Sequence, residues 1–416
     1  MVEFMDSKNT IEATLSTVVD ERKLAGAATL IWHGNSATVA CAGVRDLDSR
    51  LPIERDTIFR IASMTKPVTS ALALILVDEG RFSLGEPIVR YAPEFEHMRV
   101  LRSPKGPLDD TCAAERLITF DDLLTHRAGF SYADFHSGPI AKAYNDALGR
   151  VIDNELTPEE WIERLARLPL IDQPGAGFHY GHSTDLLGFL IARIEGAPFE
   201  DVLRRRIFEP LGMKDTGFSV PLEKRVRRAG MCGFDDNANL ITLQKIPGNH
   251  ALPERPEGMT FVSGGQGLWS TLDDYLAFAR IFVSGGTVDG VRLLRPETLL
   301  MMASNHLTDN QRTLARSLGR APFAVGHGFG LGVAVIMEPE KADLLLCGGG
   351  AGAVGWPGAY GGWWQADPND GSVMIFLAHN MVQLEQMAAG VGLTVWGAIS
   401  KFQALGTAAL RDVAVR

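Results

Sequence analysis

The sequence predicts an α+β protein, with an antiparallel sheet flanked by N- and C-terminal helices and a helical lobe inserted between them. Three observations predict it. Strand-like runs collect near the two ends of the chain, and patterns between about 85 and 215 are helical with Pro and Gly connections. The last two strand-like runs, 361–366 and 372–378, are separated only by Asp367-Pro368-Asn369-Asp370-Gly371, and so short a joint calls for antiparallel pairing. The expected division is a discontinuous α/β lobe of residues 1–84 and 216–416, a helical lobe of 85–215, and an active site in the cleft between them. The length of 416 residues supports two lobes, because a single core stops growing at roughly 250–300 residues.

The elements follow in order. Ile11, Leu15 and Val18 fall at helical spacing and predict a helix over 8–24, with Ser7 as its cap and Gly26 beyond it. Runs 27–32 and 37–44 read as strands joined through His33-Gly34-Asn35-Ser36, a hairpin turn. A helix should follow Ser63 and run to Glu79, closed by Gly80. Its middle, Ala71-Leu72-Ala73-Leu74-Ile75-Leu76-Val77, is apolar on every face, which predicts burial all round. Pro67 is tolerated there only because it lies in the first turn. Residues 101–116 are polar and turn-rich, a surface loop. Thr119 should cap a helix at Phe120-Asp121-Asp122. Thr157-Pro158-Glu159-Glu160 reads as cap, first-position proline and first-turn acids. A further helix is expected over 185–195, ending at Gly196. Residues 329–337 read as one strand, and 382–405 as one long C-terminal helix.

Composition narrows the function. The chain is 46% hydrophobic and 22% charged with net charge −10, an ordinary globular balance without the basic stripe of a nucleic-acid binder. The start, Met1-Val2-Glu3-Phe4-Met5-Asp6, has no basic segment leading into an apolar one, so no secretory signal is read and a cytoplasmic location is expected. The longest aliphatic run, 71–77, falls far short of the ~20 residues that span a bilayer. Cys41, Cys112, Cys232 and Cys347 lie far apart with no C-x-x-C pair and are expected as buried thiols.

Ser63-Met64-Thr65-Lys66 carries the chemistry, and it is the only S-x-x-K in the chain. A serine hydroxyl needs a base to become a nucleophile. Residues three apart on a helix share a face, so the helix itself sets Lys66 beside Ser63. Burial among apolar side chains disfavours the ammonium and would suit Lys66 to proton transfer. Taken alone, the pattern is also compatible with a Ser and a Lys on a solvated helix face.

The chain resembles the serine β-lactamases, D,D-peptidases and related esterases, the β-lactamase/transpeptidase-like fold, and does so in several segments in order. Phe59-Arg60-Ile61-Ala62-Ser63-Met64-Thr65-Lys66 looks like the nucleophile segment. The phrases 123–130, 208–213 and 264–271 are similar to family landmarks. Phe178-His179-Tyr180-Gly181-His182-Ser183 takes the place of the second motif, Y-x-N or S-x-N, and Trp356-Pro357-Gly358 that of the third, K-T-G or H-x-G. The resemblance implies that Tyr180 relays a proton with Lys66. It implies also that the backbone N–H groups of Ser63 and Ala359 form an oxyanion hole, on a strand lining the cleft that Gly358 lets approach closely. No cofactor is implied.

Two departures point to the substrate. Trp356 stands where β-lactamases and peptidases carry the cation that faces a substrate carboxylate, and His182 stands where Asn contacts the substrate amide. Both favour a neutral acyl ester, and the tryptophan makes the chain similar to the family VIII carboxylesterases, some of which keep slow β-lactam cleavage. Trp356, Gly358 and His182 are therefore substrate-pocket candidates, a structural hydrogen bond being the favoured reading of His182 over a chemical role. The expected function is hydrolysis of short-chain esters through an acyl-enzyme on Ser63, with a small-molecule ester as the partner and neither nucleic acid nor membrane. Rivals are a β-lactamase or D-amino-acid peptidase or amidase on the same fold, and an inactive binding protein.

Other signals are set aside. Gly350-Ala351-Gly352-Ala353-Val354-Gly355 fits G-x-G-x-x-G after the strand-like Leu344-Leu345-Leu346, but Trp356-Pro357-Gly358 does not begin the helix a dinucleotide site needs. His179 and His182 are too few for zinc, and no H-E-x-x-H is present. There is no G-x-S-x-G elbow.

Overall fold

The computed structural model describes residues 2–245, 250–252, 254–316 and 320–414, with 2–8, 384 and 412–414 as backbone alone. Its centre is a seven-stranded sheet. The spatial order is His327–Phe329, Ala334–Ile336, Val354–Gly355, Trp363–Asp367, Ser372–Ala378, Gly26–His33 and Ser36–Gly43. Every neighbouring pair in it is antiparallel. The first hairpin pairs Gly26 with Gly43 through His33 with Ser36. Its turn has Gly34 at φ +53° and Asn35 at φ +69°, the doubly left-handed geometry that matches strand twist.

The near-continuous apolar runs of the central strands follow from burial on both faces. In Ser372–Ala378, Met374, Phe376 and Ala378 face one cluster while Val373, Ile375 and Leu377 face another. Ala27 and Ile31 divide from Ala28 and Leu30 in the same way. The first face is covered by Ile11, Leu15 and Val18 of helix α1, Val2–Asp20, and by Ile399, Phe402 and Leu410 of the C-terminal helix Leu393–Ala414. The second face meets helix Leu272–Ala279 and the 3₁₀ turn Arg280–Val283, with Tyr275 and Phe282 packed on Trp364; α2, Thr65–Asp78, whose residues Thr65 through Leu76 are all buried, belongs to the same cluster. Of the 85–215 region, helix Ser183–Glu195 packs against α2, with Leu186, Leu187, Leu190 and Ile191 in the same cluster.

The predicted caps are present: Thr119 and Thr157 each form a capping box, with Asp122 and Glu160, and Gly80 and Gly196 end their helices at φ +71° and +62°. Six expectations change. Helix α1 begins at Val2, so Ser7 lies inside it; the Ser7 side chain is outside the described residues. Residues 101–116 are a hairpin rather than a plain loop, Arg99–Leu101 with Thr111–Ala113. The single strand over 329–337 is a tight hairpin, because the chain turns at Gly330 and Gly332; Gly332 has φ +87° and a Cβ there would lie 2.1 Å from Ser70 Oγ of α2. Leu344-Leu345-Leu346 is a turn. The C-terminal helix is interrupted into Leu384–Ala388 and Leu393–Ala414, since Gly390 and Gly392 adopt φ +85° and +73°. Trp356-Pro357-Gly358 lies just past the strand Val354–Gly355, and among the described residues Gly358 bridges only to Gly362.

Candidate active site

The site is built where α2 begins. The strand Phe59–Arg60 pairs with Trp269–Ser270, and Ile61 N–H donates to Leu268 O. The chain then turns through the 3₁₀ segment Ala62–Met64 into α2. Ala62 is buried at φ +45°, a left-handed conformation that costs a non-glycine residue ~1–2 kcal/mol. Such strain persists only where packing over-determines the backbone, and here it sits immediately before Ser63. Ser63 is 6% exposed, and among the described residues its hydroxyl makes no hydrogen bond within the protein.

Lys66 is wholly buried, one turn along. Its surroundings are not the apolar ones expected from α2. The ammonium donates to Gly265 O at 2.9 Å and to the Tyr132 hydroxyl at 3.3 Å, and lies 4.4 Å from the centre of the Tyr180 ring, a cation–π arrangement. The α2 helix is apolar from Ala71 to Val77, but Lys66 is at its first turn, where three other segments converge.

Two threonines of α2 fix one of them: Thr69 donates to Gly264 O at 2.7 Å, and Thr65 accepts from Leu268 N–H at 3.1 Å. Tyr180, 6% exposed, comes from the loop before helix Ser183–Glu195, and its oxygen accepts the indole N–H of Trp356 at 3.1 Å. Trp356 also packs on Phe329, with ring centres 5.3 Å apart. Gly358 is close-packed: a Cβ there would lie 2.5 Å from Ile61 O and 3.5 Å from Met64 Cγ. That contact places the 356–362 turn, including the exposed Ala359, directly against the segment bearing Ser63.

Sequence reasoning missed Tyr132 and Asp185. Tyr132 OH donates to Asp185 Oδ2 at 3.0 Å, while Asp185 Oδ1 accepts from Ser263 Oγ at 2.5 Å and Gly265 N–H at 2.9 Å. Burial works against the Asp185 carboxylate, but His182, Lys66 and Ser263 outweigh it and hold the group below its usual range. Burial, with the charges of Asp185 and Tyr180, pushes Tyr132 well above the ordinary phenol value, so it stays protonated and donates. His126, which packs 4.9 Å from the Tyr180 ring, is held neutral by burial and by the Lys66 charge. A usable signal for Asp185 was a carboxylate opening an otherwise apolar helix; it reads first as a complement to the helix dipole.

His182 is 5% exposed and boxed by the rings of Tyr132, Tyr144 and Trp161, with Nδ1 3.6 Å from Asp185 Oδ2. His179 instead faces Asp172 at 3.4 Å, so the two histidines have separate carboxylate partners. Among the described residues no cluster of three or more His, Cys, Asp or Glu is arranged for a metal. The glycines 350–355 form a turn and the start of a strand. Two cavities are lined by other residues: one of about 500 Å³ by Phe95–Arg99 and Ala113–Ile118, and one of about 150 Å³ by Arg60, Arg228, Met231 and Trp269. Neither takes in Ser63.

An antiparallel sheet with both terminal helices on one face, and a helical region stacked on a central helix that starts at Ser-x-x-Lys, defines a β-lactamase/transpeptidase-like fold. The chain belongs to the beta-lactamase family, whose model matches residues 11–391. It is 43% identical over 379 residues to protein Rv1367c of Mycobacterium tuberculosis, covering 91% of each. It is 29% identical over 385 residues to esterase EstB of Burkholderia gladioli, covering 89% of each. Among solved structures it is similar to EstCE1, described as a hydrolase with promiscuous acyltransferase activity, at TM-score 0.77 and 22% identity over 96% of this chain and 100% of that one. The family is one of β-lactamase-fold serine hydrolases with esterase and acyltransferase members. No helix among the described residues is long and apolar enough to cross a membrane.

Proposed function

We propose that the protein is a serine carboxylesterase that cleaves neutral, short-chain acyl esters through an acyl-enzyme on Ser63. The observation that carries the reading is the indole N–H of Trp356 on the Tyr180 hydroxyl. At the place where penicillin-recognising enzymes hold a cation for a substrate carboxylate, this chain puts a neutral, mostly apolar side chain that is engaged in orienting Tyr180. The EstB relationship supports an ester as substrate class.

Ser63 Oγ attacks the ester carbonyl. Its proton passes to the Lys66–Tyr180 pair, and the backbone N–H groups of Ser63 and Ala359 hold the oxyanion. The alkoxide leaves with a proton from the same pair, and water, activated by it in turn, releases the acid. Lys66 is engaged with Gly265 and Tyr132 before substrate arrives; catalytic hydrogen bonds commonly close only in the substrate complex. The location read from the sequence is the cytoplasm, and the thiols of Cys112, Cys232 and Cys347, outside any disulfide, fit a reducing compartment.

A fluorophosphonate should label Ser63 in the folded protein, and p-nitrophenyl butyrate should be hydrolysed at a higher kcat/KM than nitrocefin. Faster turnover of nitrocefin would make the protein a β-lactamase, and the absence of an adduct on folded protein would favour a binding role.

A further inference from the structure

Four groups close a ring behind the nucleophile. Lys66 Nζ donates to Tyr132 OH (3.3 Å) and to Gly265 O (2.9 Å). Tyr132 OH donates its hydrogen bond to Asp185 Oδ2 (3.0 Å), and Gly265 N–H donates to Asp185 Oδ1 (2.9 Å). The ring therefore runs Lys66, Tyr132, Asp185, Gly265 and back to Lys66. It joins four segments distant in sequence: α2, the loop after Phe130, helix Ser183–Glu195, which supplies the carboxylate, and the 263–268 turn.

We propose that Asp185 is the positioning residue for Lys66, setting the ammonium's place beside Ser63 through Tyr132 and the Gly265 carbonyl. The inference rests on the esterase reading above, in which Lys66 handles the serine proton. A wholly buried carboxylate is costly unless its oxygens are satisfied. Asp185 is 0% exposed, and both of its oxygens carry hydrogen bonds that converge on groups touching Lys66. Ser263 Oγ secures the same oxygen that holds Gly265, and a Cβ at Gly265 would strike Tyr132 OH at 2.5 Å, so the turn cannot shift without disturbing the phenol. The charged or titratable groups facing this carboxylate are Lys66, Tyr132 and His182, with Tyr180 beyond Lys66.

The amide in Asp185→Asn keeps the shape. One amide edge still accepts from Ser263 and Gly265, but the other now donates, so the Tyr132 phenol loses Asp185 as the acceptor of its proton. That proton then turns towards the Lys66 ammonium and pushes it away. Tyr132→Phe cuts the ring at the neighbouring link and leaves the carboxylate intact.

The test is steady-state hydrolysis of p-nitrophenyl butyrate by the full chain carrying Asp185→Asn, Tyr132→Phe or both, with folding checked by near-UV circular dichroism. Displacing a proton-transfer group by about an ångström costs on the order of 10²-fold. Each single variant should therefore lose ~10–100-fold in kcat with KM within about threefold, and the double variant should be no slower than the slower single. Wild-type kcat in a folded Asp185→Asn, a loss confined to KM, or additive losses in the double variant would overturn the inference. If Asp185→Asn does not fold, Tyr132→Phe decides alone: retained kcat overturns it, and a kcat loss at constant KM supports it. Ser63→Ala separates the two readings. Activity surviving in Ser63→Ala removes the esterase reading and this inference with it, whereas an inactive Ser63→Ala beside a fully active Asp185→Asn removes this inference only.

Discussion

At the scale of single residues, the site is a set of groups held by one another. Lys66 is buried, yet its ammonium meets a carbonyl, a phenol oxygen and an aromatic face. On the proposed esterase reading, Trp356 stands where the family resemblance places a cation for a substrate carboxylate. Its indole is 6% exposed and bonded to Tyr180, so replacing it changes both the orientation of the phenol and the charge of the pocket. Trp356→Lys should shift kcat/KM towards carboxylate-bearing substrates relative to neutral esters, by roughly tenfold or more in the ratio if the new cation gains one charge-assisted hydrogen bond. The check is a paired assay with p-nitrophenyl butyrate and a p-nitrophenyl hemisuccinate ester. An unchanged ratio would mean that side chain 356 does not face the acyl group.

At the scale of elements, the turn 356–362 and the segment 61–64 act as one unit, because the absence of a side chain at Gly358 lets them touch. A Cβ at 358 would sit 2.5 Å from Ile61 O and meet backbone rather than a movable side chain. Gly358→Ala should thus push the turn away from Ser63, separating the N–H groups of Ser63 and Ala359 that are read as the oxyanion hole. Loss of one such donor is typically worth ~10²–10³ in rate, so kcat should fall by about that range. The same variant should lose ~1–3 kcal/mol of stability from overpacking, measurable by urea unfolding. Wild-type turnover in Gly358→Ala would place the oxyanion donors elsewhere.

At the scale of the whole molecule, several histidines are buried as neutral groups, which ties folding to pH. His379 is fully buried with both ring nitrogens unpartnered, and burial, opposed by the charge of Asp46, pushes it from 6.5 down to about 4. His126 and His327 are lowered for the same first reason. A depressed histidine contributes its full stability above the unfolded value near 6.5. The contribution is lost as pH falls from there towards the folded value, because the unfolded chain takes up the proton first. For His379 alone this amounts to roughly 3 kcal/mol between pH 6.5 and 4. Guanidinium midpoints should be level from pH 7.5 to 6.5 and drop steadily below, and His379→Leu should make that drop shallower. Level midpoints down to pH 4.5 would contradict the assignment.

Much of this was legible in the sequence, for stated reasons. The capped helices at Thr119 and Thr157, the Gly34-Asn35 hairpin and the all-buried α2 each depend on interactions within a few residues, which local residue types specify. The family could be read because its motifs are short and ordered along the chain. The strand expected over 329–337 failed because Gly332 is required by Ser70 of α2, a neighbour far away in sequence. The long C-terminal helix failed at Gly390 and Gly392, whose left-handed φ values interrupt it.

By itself, then, the sequence determined the fold class, the serine–lysine pair and the unusual tryptophan, because helix periodicity and motif order survive in one dimension. Only the tertiary structure decided that Lys66 lies in a polar ring rather than an apolar sleeve, and that Tyr132 and Asp185 belong to the site. Those contacts join residues 53 to 199 positions apart. Hydrogen bonds between segments so distant depend on how the segments pack, and no spacing along the chain records that.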